Sequence, residues 1–203
     1  MGSELQRLYG NIDIYLLDQL LKGTYDSCER VLDAGCGSGR NLIYFLRNGF
    51  DVYGIDKDAD AVSAAVELSG RLAPEHAEEN FLNASAENLP FTDNYFDLVI
   101  SSAVLHFAES PEHFDNMIRS MWRVLKPGGY LFARIASDIG IEALICSRGN
   151  GRYLLPDGSE RFLVNQDMLL QYTHRLNGRL HEPIKTTNVQ NLRCMTTWCL
   201  QKN

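Results

Sequence analysis

One stretch near the start of the chain restricts its fold more than any other. Residues 30–32 form a short apolar segment of the kind found in buried strands. Gly35, Gly37 and Gly39 follow at alternate positions, and glycine permits positive φ angles and close approach of a ligand. Apolar residues within 42–46 then recur at helical spacing. A strand, a glycine turn and a helix in this order are typical of a Rossmann-type nucleotide site, where unpaired N–H groups open the helix.

Two details distinguish this turn from the NAD fingerprint. That fingerprint has the spacing G-x-G-x-x-G, whereas here the third glycine comes one residue early and Arg40 takes its place. Asp33 also stands two residues before the first glycine, where its carboxylate would repel a pyrophosphate and suit a cationic group. The turn therefore favours a cofactor with a cationic amino-acid end and no phosphate. The competing interpretation is a plain tight turn in which Asp33 is only a cap.

The stretch Asp-Ala-Gly-Cys-Gly-Ser-Gly-Arg-Asn at 33–41 resembles the first motif of the class I S-adenosylmethionine-dependent methyltransferases. Residues 84–91 and the Lys-Pro-Gly-Gly turn within 123–131 resemble later segments of that family. The likeness covers about residues 30–135, and its Gly-Arg-Asn ending resembles the small-molecule branch with tellurite-resistance and thiopurine-type enzymes. It implies an α/β, Rossmann-like fold: a seven-stranded mixed sheet, its last strand antiparallel, with helices on both faces.

The resemblance also implies that S-adenosylmethionine is the cofactor. Asp33 would orient its amino end, and the glycines would give it access to the backbone. The expected cofactor-binding residues are Asp33, Gly35, Cys36, Gly37, Gly39, Asn41, Asp56, Lys57, Ser85, Ala86, Glu87 and Ser101.

Asp56 has support from the residue pattern as well. Residues 50–55 alternate as a strand does, and Asp56 ends that strand, where a Rossmann unit places an acid that accepts hydrogen bonds from ribose. The alternative is that Asp56 or Asp58 caps the next helix, and the two roles can be divided between these residues. The adenine site is less defined, because Ser85 stands where the family usually has an acid. Ser85, Glu87 or the backbone alone remain as partners of the adenine amine.

The segment after the predicted fourth strand, residues 97–102, supplies the candidate catalytic residue. Ligands of open α/β sheets bind outside the carboxyl ends of the strands, which places Ser101, Ser102 and His106 near the reaction centre. His106 is the candidate general base, needed only if the acceptor carries a proton at pH 7. A structural role explains a histidine in an apolar segment equally well.

We expect one domain, residues 1–203, because a chain of this length buries a sizeable core. Residues 1–25 contain an amphipathic helix that is predicted to cover the sheet edge. Residues 136–165 hold two turn-forming clusters and are predicted to be an insertion. The acceptor pocket would be built from these two segments.

Composition narrows the classes of partner. The net charge is −7 and no basic cluster stands out, which disfavours a nucleic-acid partner. No apolar run reaches membrane-spanning length and the N-terminus lacks a signal-peptide pattern, so we expect no membrane partner. The five cysteines lack zinc-site spacing, which predicts no metal and indicates reduced thiols in the cytoplasm.

These observations predict an S-adenosylmethionine-dependent methyltransferase that acts on a small molecule by direct SN2 transfer. Such a reaction needs an aligned nucleophile in a dry pocket more than it needs a strong base. Two alternatives stay open. One is a regulatory or scaffold module that binds S-adenosylmethionine without turnover. The other is an NAD-dependent oxidoreductase, which the glycine spacing and Asp33 disfavour.

Overall fold

The computed structural model describes residues 4–76 and 78–203. Residues 1–3 of the predicted cover segment, and Ala77 in a stretch predicted to be a loop, lie outside the described residues. The N-terminal segment forms two helices where the sequence predicted one: α1 (Glu4–Tyr9) and α2 (Ile14–Leu21). None of the helices that the structure describes has the length and apolar character needed to cross a membrane.

Strands and helices alternate through the first two thirds of the chain. They are β1 (Arg30–Ala34), α3 (Ile43–Arg47), β2 (Asp51–Asp56), α4 (Ala59–Leu72), β3 (Phe81–Asn83), β4 (Phe96–Ser102), α5 (Pro111–Val124) and β5 (Leu125–Ser137). The last third holds β6 (Cys146–Gly149), β7 (Arg152–Leu154), β8 (Glu160–Phe162), α6 (Gln166–Arg175), β9 (Gly178–Leu180), β10 (Lys185–Val189) and β11 (Arg193–Lys202). Short 3₁₀ turns occur at Glu78–Asn80, Leu105–Phe107 and Glu142–Leu144.

The main sheet has the strand order β3-β2-β1-β4-β5-β11-β10. Neighbours from β3 to β5 are parallel, and β11 is antiparallel to both β5 and β10. The predicted seven-stranded mixed sheet with an antiparallel last strand is therefore confirmed. The structure adds β9, a short strand on β11, and a separate antiparallel sheet of β6, β7 and β8.

Helices cover both faces of the sheet, as predicted. Phe114 and Met121 of α5 pack with Leu169 of α6 in the core on one face. Leu16 of α2 and Phe45 of α3 lie in the core on the other face, with α4. The central strands are buried on both faces, which explains their continuous apolar runs.

Side-chain caps fix where several helices begin. The Ser110 Oγ accepts a hydrogen bond from the His113 N–H (3.1 Å), and the Asn165 Oδ1 accepts one from the Met168 N–H (2.8 Å). Asp58 Oδ1 accepts one from the Asp60 N–H at 3.0 Å. Each cap satisfies a backbone donor that has no partner within its helix. These caps start α4 and α5 at the carboxyl edge of the parallel strands.

Candidate functional site

A cavity of about 470 Å³ lies at the carboxyl ends of β1, β2 and β4, and we call it the first cavity. Its volume is within the range of roughly 300–1,000 Å³ that ligand pockets occupy. It is lined by Gly35, Cys36, Gly37, Ser38, Arg40, Asn41, Ile55, Asp56, Lys57, Ala84, Ser85, Ala86, Glu87, Ser102, Ala103, Val104, Phe107, Glu109, His113 and Met117.

The glycine turn forms one wall of this cavity. Gly35 has φ +95°, and a Cβ built there would overlap the Val104 side chain. Gly37 has φ +52°, and a Cβ built there would point into space without any described atom within 4 Å. The Gly35 and Cys36 N–H groups donate to the Ile55 carbonyl at 2.8 and 2.9 Å, which holds the turn against β2. The turn thus presents bare backbone to the cavity.

Asp33 is fully buried behind this wall and does not line the cavity. Neither of its carboxylate oxygens has a hydrogen-bond partner among the described residues. Burial raises the pKa of Asp33 to about 8, and the positive charge of Arg40 and the polar side chain of Asn41 oppose that rise. Burying a polar group without a hydrogen-bond partner costs free energy. A ligand that donates hydrogen bonds to this carboxyl beside the glycine turn would recover part of that cost.

Asp56 is half-buried at the end of β2 and lines the cavity. Its Oδ2 accepts a hydrogen bond from the Gly37 N–H (2.9 Å), and its Oδ1 accepts one from the Asp58 N–H (3.0 Å). Each oxygen keeps lone-pair capacity for another donor. Asp58, in contrast, caps α4, so the division of roles between the two acids that the sequence left open fits the geometry.

The structure brings nine of the twelve predicted cofactor residues to the lining of the first cavity. The three that do not line it are Asp33, Gly39 and Ser101. A Cβ at Gly39 would lie 2.8 Å from the Leu68 Cδ2, so this glycine permits helix packing. Ser101 is fully buried within β4, and its neighbour Ser102 reaches the cavity, because side chains alternate along a strand.

Sequence analysis missed the residues that α5 contributes. His113 and Met117 of α5, and Glu109 just before that helix, line the first cavity, and the His113 Nε2 lies 3.5 Å from the Glu87 Oε2. The sequence signal that could have found them is the Ser-Pro helix start at 110–111. It begins a helix at the carboxyl edge of the sheet, where ligands bind.

A second cavity of about 610 Å³ adjoins the first, and the two share Arg40 and Ala103 as lining residues. Its other lining residues are Ile12, Asp13, Ile14, His106, Arg134, Ala136, Leu155, Asp157, Ser159, Arg161, Arg193 and Met195. Ala103 has φ +65°, in the left-handed region that a residue with a Cβ rarely adopts. Backbone strain of this kind is often found at functional sites, and Ala103 lies at the junction of the two cavities.

A buried polar network ties the N-terminal segment to this junction. The Asp13 Oδ2 accepts a hydrogen bond from the Ser102 Oγ (3.3 Å) and lies 3.4 Å from the Arg134 Nε. An Arg40 guanidinium N–H donates to the Ser102 Oγ at 3.2 Å, and the Asn41 Oδ1 accepts from the Asp13 N–H at 3.0 Å. Asp13 carried no sequence signal beyond its place before a helix. Asn41 is predicted to bind the cofactor, and its side-chain oxygen also accepts the hydrogen bond from Asp13.

His106 lines the second cavity and not the first. Burial, assisted by the charge of Arg161, lowers the pKa of His106 to about 4. Its Nδ1 accepts a hydrogen bond from the Ala136 N–H at 3.4 Å, which leaves the proton of the neutral ring on Nε2. A neutral ring with Nε2–H is a donor, so this geometry does not favour the general-base role expected from the sequence.

No group of histidine, cysteine or acidic side chains suited to a metal ion occurs among the residues described. The five cysteines are free thiols, and four of them are buried. Burial raises the pKa of Cys36 well above its usual range, so this thiol in the glycine turn stays protonated. Cys36 is therefore a packing residue in the wall of the cavity.

Comparison with known protein sequences relates this chain to methyltransferases. A family profile described as a methyltransferase domain matches residues 32–133. An uncharacterized methyltransferase of Synechocystis is 35% identical over 107 residues, which are 53% of this chain and 46% of that protein. The chain spans less than half the length of the first relatives that it matches.

Solved structures share the fold. The PH0226 protein of Pyrococcus horikoshii superposes with a TM-score of 0.73 over the whole of both chains at 18% identity. The 1,6-didemethyltoxoflavin-N1-methyltransferase of Burkholderia thailandensis, solved with its acceptor and S-adenosylhomocysteine, has a TM-score of 0.68 at 17% identity. That match covers 91% of this chain and 76% of the other.

Proposed function

This chain belongs to the methyltransferase-domain family, and from that membership we propose that it transfers a methyl group from S-adenosylmethionine to a small-molecule acceptor. The observation that carries the proposal is the first cavity, which is lined by a bare glycine turn and a half-buried Asp56, with the carboxyl of Asp33 buried behind the turn. Those features suit a nucleoside with hydroxyl groups and a cationic amine, and the acids disfavour a phosphate.

Each wall of the first cavity has a distinct task in this proposal. The free lone pairs of Asp56 accept hydrogen bonds from ribose hydroxyls. Ser85 and Glu87 also line the cavity, and we assign them the position beside the adenine. Gly37 gives the amino-acid end access to the backbone. Asp33, behind the turn, attracts the ammonium group of the cofactor once its carboxyl loses its proton. Lys57 is exposed, and we assign it no hydrogen bond to the cofactor.

S-adenosylmethionine, when bound, would supply a methyl group on a sulfonium centre, and its sulfur would be the leaving group when that methyl is transferred directly to the acceptor. The chain would hold the acceptor atom in line with the S–CH₃ bond of the cofactor and keep water out of the site. Val104 and the buried Met117 give the first cavity apolar walls. No residue has to take up the substrate proton if the acceptor binds as its conjugate base.

We place the acceptor in the second cavity, because it opens beside the first at Arg40 and Ala103. Its walls come from residues 12–14 and 155–161, which belong to the two segments that the sequence assigned to the acceptor pocket. His106 would donate a hydrogen bond from Nε2 to the acceptor instead of removing its proton.

The free thiols support a reducing, cytoplasm-like compartment for the reaction.

Calorimetric titration with S-adenosylmethionine, S-adenosylhomocysteine and NAD tests the proposal. We expect the two adenosyl sulfur compounds to bind and NAD not to bind. Asp56→Ala should weaken S-adenosylhomocysteine binding by roughly 10- to 100-fold, because a hydrogen bond to a charged group contributes about 1.5–3 kcal/mol. Asp60→Ala is the matched control, since Asp60 is an exposed acid outside both cavities.

Three results would contradict parts of the proposal. Binding of NAD alone would favour an oxidoreductase. Unchanged affinity in Asp56→Ala would remove the ribose role of that residue. Tight binding without methyl transfer to any member of a panel of small thiols, phenols, amines and oxyanions would favour a regulatory module.

A further inference from the structure

The second cavity is positively charged in a protein of net charge −7. Its lining includes four arginines and two aspartates: Arg40, Arg134, Arg161, Arg193, Asp13 and Asp157. Two of the arginines are neutralised within the cavity. The Arg134 Nε lies 3.4 Å from the Asp13 Oδ2, and an Arg193 guanidinium nitrogen lies 3.4 Å from the Asp157 Oδ2. A surplus of two positive charges therefore remains in the cavity.

Arg40 and Arg161 carry that surplus, because neither forms an ion pair with a carboxylate of the described residues. Arg40 donates to the Asn11 carbonyl and the Ser102 Oγ, both at 3.2 Å. Arg161 donates to the Glu160 carbonyl at 2.8 Å, and its guanidinium carbon lies 5.0 Å from the centre of the Phe107 ring. Both guanidinium groups are thus held in place by neutral partners and keep unused donors.

The remaining lining residues indicate what else the occupant needs. His106 is uncharged at pH 7 and carries its proton on Nε2, so it adds a donor to the cavity. Ile12, Ala136, Leu155 and Met195 supply apolar surface. The lining therefore combines positive charge and a neutral donor with apolar walls, which suits a small organic anion more than a neutral or cationic molecule.

We propose that the methyl acceptor carries an anionic group, a carboxylate or another small oxyanion, and that Arg161 binds this group in the second cavity. Arg40 is placed to add its charge from the junction with the first cavity. Arg161 is the better residue to test, because it lines only the second cavity, whereas Arg40 lines both. That the bound anion is the methyl acceptor rests on the proposed function, whereas the anion site itself follows from the lining of the second cavity.

The test titrates the full chain with benzoate, benzamide and inorganic phosphate at low salt, with and without saturating S-adenosylhomocysteine. Benzoate and benzamide have the same shape and differ in charge, and phosphate tests an inorganic oxyanion. We expect at least one anion to bind tenfold or more tightly than benzamide. Arg161→Gln should remove most of that preference, and Arg161→Lys should keep part of it, because the charge survives and the planar fork does not.

Arg148→Gln is the matched control, since Arg148 is an exposed arginine that lines neither cavity. It should keep the anion preference of the parent chain. Equal binding of benzoate and benzamide without a phosphate signal, or an unaltered preference in Arg161→Gln, would overturn the anion site. Absence of S-adenosylhomocysteine binding would instead contradict the proposed function. The titrations without that compound separate the two failures.

Discussion

The two cavities lie side by side and share Arg40 and Ala103, yet they are built in different ways. The first is walled largely by short segments that leave the carboxyl ends of parallel strands. The second is assembled from segments that are far apart in the chain, residues 12–14, 155–161 and 193–195. The first depends mainly on the backbone conformation of its glycine turn, whereas the second depends mainly on which side chains the fold brings together. Substitutions should therefore affect the two cavities very differently.

Gly35→Ala should give the largest effect, confined to the first cavity. The new Cβ would overlap Val104, and the alanine would have to adopt the positive φ of the turn, which together cost roughly 2–4 kcal/mol. We expect loss of S-adenosylhomocysteine binding by calorimetry and a lower free energy of unfolding in urea. Gly70→Ala in α4 is the control, because its Cβ meets nothing described within 4 Å; it should be neutral or slightly stabilising. Similar losses in both variants would show that the turn has no special requirement.

Asp33 should give an intermediate effect that depends on pH. Its folded-state pKa, about 8, lies above the ordinary value of 3.8. Between these values the folded state holds a proton that the unfolded state has lost, so stability falls as pH rises. Asp33→Asn removes this penalty. We expect the parent chain to lose about 1 kcal/mol per pH unit relative to Asp33→Asn between pH 5 and 7, measured by urea unfolding.

The same residue links pH to binding. If the ammonium of the cofactor attracts the ionised carboxylate of Asp33, S-adenosylhomocysteine binding at pH 7 should release a proton. Calorimetry in two buffers of different ionisation enthalpy measures that release, and Asp33→Asn should abolish it. Parallel stability curves for the two proteins, or no proton release from the parent chain, would contradict the assignment.

His106 should give the smallest effect. Because its neutral ring donates from Nε2, His106→Gln should keep methyl transfer within about fivefold and leave S-adenosylhomocysteine affinity unchanged. The pH dependence of kcat/KM should show no inflection near pH 6.5 that depends on this residue. His174→Gln, in an exposed histidine of α6, is the control. A 100-fold loss of rate would restore His106 as the candidate general base.

The sequence by itself determined the elements whose signals are local. The apolar run of β1, the glycine turn and the acid at the end of β2 are adjacent patterns, and the helix caps Ser110 and Asn165 are single residues with fixed local roles. The family motif then determined the order of the main sheet, because parallel strands joined by helices have few ways to pack. The first cavity follows, since it lies where those strands end.

Only the tertiary structure decided the second cavity. Asp13 pairs with Arg134, and the charge of Arg161 acts on His106, because the fold brings together segments that share no local sequence pattern. Only the tertiary structure shows that β9 pairs with β11 and that His106 lines the second cavity and not the first. The physical reason is that local patterns set backbone conformation, whereas the charge and pKa of a site depend on which distant side chains the finished fold brings together.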